Sequence, residues 1–148
     1  MKIADWKPRP NPLASRLEEP LQIDVVDAFR KLGWRVIHVR AAMVKCPRCK
    51  GAACKKCKGR GYSYRTPVMG DGKGFPDVLA IGLGDPARMI AVELKSEDGT
   101  VEPEQSIWLD RFYAAGAETY VWRPRHWNNG EVQWILQHKP EIRERWKA

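Results

Sequence analysis

GFPDVLAIGL at residues 74–83 and MIAVELKS at residues 89–96 decide the reading of this chain. Each holds a short apolar run bounded by turn residues, the pattern of a buried strand. Asp77 opens the first run; Glu93 and Lys95 close the second. Residues two apart in a strand point to one face, so Glu93 and Lys95 project together while Val92 and Leu94 face the other way. If the two strands pair, the carboxylates of Asp77 and Glu93 stand a few ångströms apart. Such oxygen ligands suit Mg²⁺ or Mn²⁺, which polarises a phosphate and lowers the pKa of a bound water. Lys95 would orient that water, help to deprotonate it, or stabilise nearby negative charge, and the sequence leaves these roles open. Two other acidic-x-Lys strings, Asp5-Trp6-Lys7 and Asp71-Gly72-Lys73, lie in a proline-rich and a glycine-rich stretch. Context therefore selects Glu93-Leu94-Lys95, and the chemistry it suits is phosphodiester hydrolysis.

Outward from this centre the pattern extends in both directions. Leu21, Val25, Ala28, Phe29 and Leu32 fall on one helical stripe that begins at Pro20 and stops at Gly33. Trp34 to Val39 reads as a strand, and strands are expected at about Asp77–Ile81 and Met89–Leu94, joined by a turn with Gly84, Asp85 and Pro86. Pro103 suits the first turn of a helix running to about Ala115, with Gly116 as its stop, and Thr119 to Trp122 is a last core strand. Residues 130–146 read as a peripheral helix, and residues 1–14, with three prolines, as an irregular arm. Helix, three strands, helix, strand is the order of an α/β fold with a small mixed sheet flanked by helices.

Three more side chains are candidates for the site. Glu18 shares a helical face with Leu21, Gln22 and Val25 and is read as a third inward carboxylate. Ser15-Arg16-Leu17-Glu18 also matches a capping box, and Pro20 leaves Glu19 as the alternative inward residue. Gln105 heads the stripe of Trp108, Leu109 and Phe112, where it either reaches the site or satisfies the helix start. His38 is within reach but reads as a half-buried strand histidine.

The chain has 148 residues, 30% charged and 43% hydrophobic, enough for one domain with a core and a small insertion. No apolar run approaches the ~18 residues of a membrane helix, and MKIADWKPRP has no apolar signal region, so a cytoplasmic protein without membrane contact is expected. The net charge is +8. Lys45, Arg48, Lys50, Lys55, Lys56, Lys58, Arg60 and Arg65 lie in a segment without one acidic residue. Removing these eight from 26 basic residues leaves 18 against 18 acidic ones, so the whole excess sits there. A local basic excess is the footprint of a polyanion, and Lys45, Arg48, Lys50, Lys55, Lys56, Lys58 and Arg60 are read as nucleic-acid contacts.

The same segment holds all four cysteines, as Cys46-x2-Cys49 and Cys54-x2-Cys57. Four thiolates at this spacing suit a closed, structural zinc site; an iron–sulfur cluster is the alternative. CPRCKGAA and CKKCKGRG resemble two units of the CxxCxGxG repeat of DnaJ-type chaperones, in which glycines permit the turns around the metal. Four residues between the pairs favour knuckles over a ribbon.

EEPLQ, GWRVIHV, GFPDVLAI, AVELKSEDG, EPEQSIWLDRF and TYVWRP together resemble the VRR-NUC family of PD-(D/E)XK nucleases, of the stand-alone kind common in phages and prophages. The likeness spans roughly residues 18–37 and 74–124. It implies a restriction-endonuclease-like αβββαβ core, divalent-metal-dependent cleavage of DNA, an acidic triad of Glu18, Asp77 and Glu93, and the backbone carbonyl of Leu94 as a further metal ligand. Lys95 and Gln105 take the places of the family lysine and glutamine. Some relatives cut branched DNA such as Holliday junctions, often as homodimers, which makes an endonuclease on structured DNA the leading expectation; RNA stays open as a substrate. If phage-encoded, the protein would work in the host-cell cytoplasm. The chain departs from the family in Pro20 and in the cysteine module. The implied division is residues 1–14 as an arm, 15–44 with 66–148 as the nuclease domain, and 45–65 as an inserted zinc module. The competing class is a non-catalytic nucleic-acid-binding zinc protein that retains the fold.

Overall fold

The computed structural model describes residues 18–39, 42–65, 70–84 and 86–148, and only the backbone of 18–20, 42–43 and 64–65. The chain divides into two compact units, Met1–His38 with Gly74–Ala148, and Val39–Lys73. The expected arm at 1–14 lies outside the described residues.

In order, the elements are α1 (Glu18–Lys31), β1 (Arg35–His38), β2 (Ala42–Lys45), β3 (Tyr62–Arg65), β4 (Val78–Ile81), β5 (Met89–Leu94), α2 (Pro103–Ala114), β6 (Glu118–Trp122), α3 (Pro124–Asn128) and α4 (Glu131–Gln137). α1 begins two residues before Pro20, so Pro20 lies inside its first turn. In the first turn the missing N–H would have had no helical partner, so proline is tolerated there.

The first unit is a mixed α/β structure around a four-stranded sheet of order β1-β4-β5-β6. The first two pairings are antiparallel and β5–β6 is parallel. Alternation along the strands divides its faces. Val78, Ala80, Ile90, Val92 and Leu94 join Leu21, Val25 and Phe29 of α1 and Val132, Ile135 and Leu136 of α4 in one buried core. Ala91 and Glu93 point the opposite way, the side on which α2 packs its buried Leu109. The parallel β5–β6 pair requires a crossover, and α2 provides it.

The helix expected over 130–146 is shorter and is preceded by another. α4 ends at Gln137, and α3 begins directly after β6 with Pro124 in its first turn. Pro140 follows α4 by three residues, and the chain beyond it runs along the outer edge of β6 instead. There the N–H of Thr119 donates to the carbonyl of Glu144 at 3.1 Å, and the N–H of Trp146 to Oγ1 of Thr119 at 3.1 Å. Covering an edge strand satisfies backbone groups that a helix would have left exposed. Among the described residues, no helix is long and apolar enough to cross a membrane.

The second unit is a hairpin of β2 and β3, in register from Ala42↔Arg65 to Lys45↔Tyr62, with the four cysteines at its tip. The N–H of Cys46 donates to the carbonyl of Gly61 at 2.9 Å and extends the ladder by one rung. Gly61 has φ +76°, and a Cβ there would lie 2.4 Å from the carbonyl oxygen of Gly51. Only glycine fits where the two cysteine turns meet. These two short strands are not expected from the sequence.

Candidate functional site

Asp77, Glu93 and Lys95 gather at one end of the sheet in the first unit. Val78 pairs with Val92 across the antiparallel β4–β5 ladder, so one further step sets Asp77 opposite Glu93. Oδ2 of Asp77 accepts the N–H of Leu94 at 2.8 Å. Within an extended residue N–H and C=O point to the same edge, so the Leu94 carbonyl also faces the Asp77 side.

What holds Asp77 in place is the segment before it. Gly74 has φ +76°, and a Cβ there would sit 2.6 Å from the backbone carbon of Glu104. This close approach presses the segment against the start of α2. Phe75 then wedges edge-on into Trp108 and Phe112, with ring centroids at 5.0 and 5.7 Å. Backbone contact and aromatic anchor together bring Pro76 and Asp77 beside the first turn of α2, which carries Gln105.

Glu93 is only 2% exposed, and a buried carboxylate needs compensating partners. It has two on one oxygen: Nζ of Lys95 lies 3.0 Å from Oε1, and Nε2 of Gln105 donates to the same atom. The other end of the Gln105 amide accepts the N–H of Glu102 at 2.9 Å. Gln105 thus bonds at once to the helix start and to Glu93, the two directions the sequence left open.

The donor set of Asp77, Glu93 and the Leu94 carbonyl is hard oxygen, which fits Mg²⁺ or Mn²⁺. Of the expected third carboxylate, Glu18 opens α1, but its side chain and that of Glu19 lie outside the described residues, as does Ser15. His38 is at the same end of the sheet, paired with Val78, and its Nε2 lies 3.1 Å from Oε1 of Gln22 on α1.

Sequence reasoning missed one residue here, Arg123. It is 8% exposed, and one terminal nitrogen donates to the carbonyls of Ser96 at 2.7 Å, Glu97 at 3.3 Å and Gly99 at 2.6 Å. Its own N–H donates to Nδ1 of His126 at 2.9 Å, a role only the neutral imidazole can play; burial keeps the His126 pKa below its ordinary value. Oε1 of Glu97 accepts the N–H of Arg125 at 2.5 Å, and the Arg125 guanidinium lies 3.0 Å from Oε2. The loop that follows Lys95 is therefore latched to the junction of β6 and α3. Nothing in the local pattern WRPRH announces this, because the acceptors are backbone groups about 25 residues upstream.

In the second unit the sulfurs of all four cysteines lie within 4.8 Å of one another. Cys46–Cys54 and Cys49–Cys57 are at 3.8 Å and Cys54–Cys57 at 3.7 Å. A tetrahedron with Zn–S bonds of about 2.3 Å has edges of about 3.8 Å. The cluster thus has the dimensions of a site for one ion, compatible with structural zinc. A cluster with its thiolates spread over several irons would hold the sulfurs farther apart. Backbone hydrogen bonding favours the thiolate form: contacts with the backbone of Cys49 and then Arg48 lower the Cys46 pKa, and contacts with the backbone of Cys54 and then Gly61, whose N–H donates to Sγ at 3.2 Å, lower that of Cys57 to about 6. Burial pushes Cys49 up to about 12, a cost that a metal ion would offset. Comparison with protein-family models, with curated proteins and with solved structures returned no match.

Proposed function

We propose that this chain is a Mg²⁺- or Mn²⁺-dependent deoxyribonuclease with a restriction-endonuclease-like core, of the VRR-NUC kind, carrying an inserted zinc module. The observation that carries the reading is the meeting of Asp77, Glu93, Lys95 and Gln105 at one sheet end, with two carboxylates, an ammonium and an amide brought together from the end of β5, α2 and the segment before β4. When bound, the metal supplies electrophilic polarisation of the scissile phosphate and a more acidic water. Asp77, Glu93 and the Leu94 carbonyl are the groups that would hold it. Gln105 fixes the rotamer of Glu93 through its amide. Lys95, paired with Glu93 and 12% exposed, has an ammonium that can turn toward an attacking water or toward charge developing on phosphate. Arg123 keeps the loop after Lys95 in one shape. An endonuclease acting on branched or otherwise structured DNA is the preferred subtype, because no sequence-reading element accompanies the core among the described residues.

The test is cleavage of linear duplex, single-stranded, flap and four-way-junction DNA, with an RNA of the same sequence, in Mg²⁺, Mn²⁺ or EDTA. Metal-dependent cutting is expected, reduced at least ~10²-fold by Asp77→Ala. Tight binding without cutting in any metal would move the chain to the non-catalytic class of nucleic-acid-binding zinc proteins.

A further inference from the structure

The two cysteine turns repeat one unusual backbone feature. In Cys46-Pro47-Arg48-Cys49-Lys50 and Cys54-Lys55-Lys56-Cys57-Lys58, the residue after the second cysteine is a lysine with positive φ, +48° at Lys50 and +53° at Lys58. Among the described residues these are the non-glycine positions with positive φ. Left-handed backbone suits glycine, and after it asparagine, whose short side chain bonds locally; lysine brings the Cβ penalty and no such compensation. Glycine is at hand in each turn, since Gly51 and Gly59 follow directly, yet the strained position is a lysine both times. Both lysines are exposed, and among the described residues neither has an ion-pair partner. What the strain preserves is a positive charge, at the same place in two turns built on one thiolate cluster.

We infer that Lys50 and Lys58 form a two-point dock for phosphodiester groups of a nucleic-acid backbone. The turn geometry fixes the direction in which both side chains leave the backbone, and the two turns share one cluster, so the two charges are presented from one scaffold. The absence of acidic residues over the whole segment makes a polyanion the matching ligand. This deepens the nuclease reading and rests on it for the class of ligand, but it concerns binding alone.

The experiment uses the full chain loaded with zinc and carrying Glu93→Gln, so that DNA stays intact. Affinity for a labelled duplex oligonucleotide is measured by fluorescence anisotropy over a range of salt, beside the thermal midpoint of the cysteine unit. In the double variant Lys50→Gly/Lys58→Gly the midpoint is expected to rise, because glycine relieves the strain. Binding is expected to weaken, its log–log salt slope becoming shallower by about 1.8, or about 0.9 for each phosphate no longer neutralised. Lys50→Asn/Lys58→Asn should act likewise. An unchanged slope overturns the inference, as does a fall in the midpoint. A lysine-dependent slope in a wild-type chain that never cuts upholds the dock and sinks the nuclease. Cutting with an unchanged slope does the reverse, and absence of any nucleic-acid binding removes both.

Discussion

Burial decides how the Glu93–Lys95 pair responds to mutation. Glu93 is 2% exposed and Lys95 12%, and a lysine stem can swing its ammonium toward water where a glutamate this deep cannot. Removing the two partners is therefore expected to give unequal results. Glu93→Gln takes away the buried charge, keeps an acceptor for Gln105, and should leave stability within about 1 kcal/mol of wild type or above it. Cleavage should fall by at least ~10²-fold in the same variant. Lys95→Met strands the carboxylate and should cost about 3–5 kcal/mol, measured by urea denaturation. Glu93→Gln with several kcal/mol lost and cutting intact would reduce Glu93 to a structural residue. Asp77, Glu93 and Lys95 are legible as candidates because each sits at the boundary of an apolar run, where the switch from period-two pattern to turn residues is sharp. The dual bonding of Gln105 is legible only as two competing roles, since one amide can face a helix end and a sheet end together only once the sheet is in place.

At the scale of elements, the strands around the site and the long helix after them follow from apolar periodicity with proline and glycine punctuation. β2 and β3 do not, because four-residue strands in a polar, cysteine-bearing segment carry almost no periodic signal. The tail after α4 reads as helix in the sequence because its decisive contacts are tertiary. Asp110 on α2 accepts from the Trp146 indole at 2.9 Å and from Arg145 at 3.0 Å. The Trp146 hydrogen bond and then Arg145 hold its pKa below the ordinary carboxylate value. A depressed folded-state pKa contributes stability that is complete above the unfolded value and is lost as pH falls through the folded one. Tail docking should therefore be constant through neutral pH and loosen only in acid, below the usual aspartate range. The Trp146 indole N–H resonance, followed during acid titration, checks this; Asp110→Asn should abolish the pH dependence. A transition near neutral pH would assign the anchoring to some other group.

At the scale of the whole molecule, the two units should respond to different reagents. Among its described residues the cysteine unit has a hairpin, a glycine contact and a thiolate cluster but little apolar core, and structures of that size usually need a metal. A strong zinc chelator is expected to abolish amide-exchange protection between residues 42 and 65 while the four-stranded sheet keeps its own. Loss of protection in both units together would show one cooperative structure. The place where the cysteine unit enters carries a consequence for engineering. β1 and β4 are antiparallel neighbours, and His38 pairs with Val78 on the last rung before the chain departs. Antiparallel neighbours can be joined by a turn of a few residues, so the β1–β4 pairing does not in itself require a long connection. A chain in which residues 39–73 give way to a short glycine-containing turn should fold as a minimal core that keeps the Gly74–Asp77 approach to α2. The same two ends would accept a different module in its place, making this junction a socket at which inserts could be exchanged while the four-stranded sheet keeps its pairing.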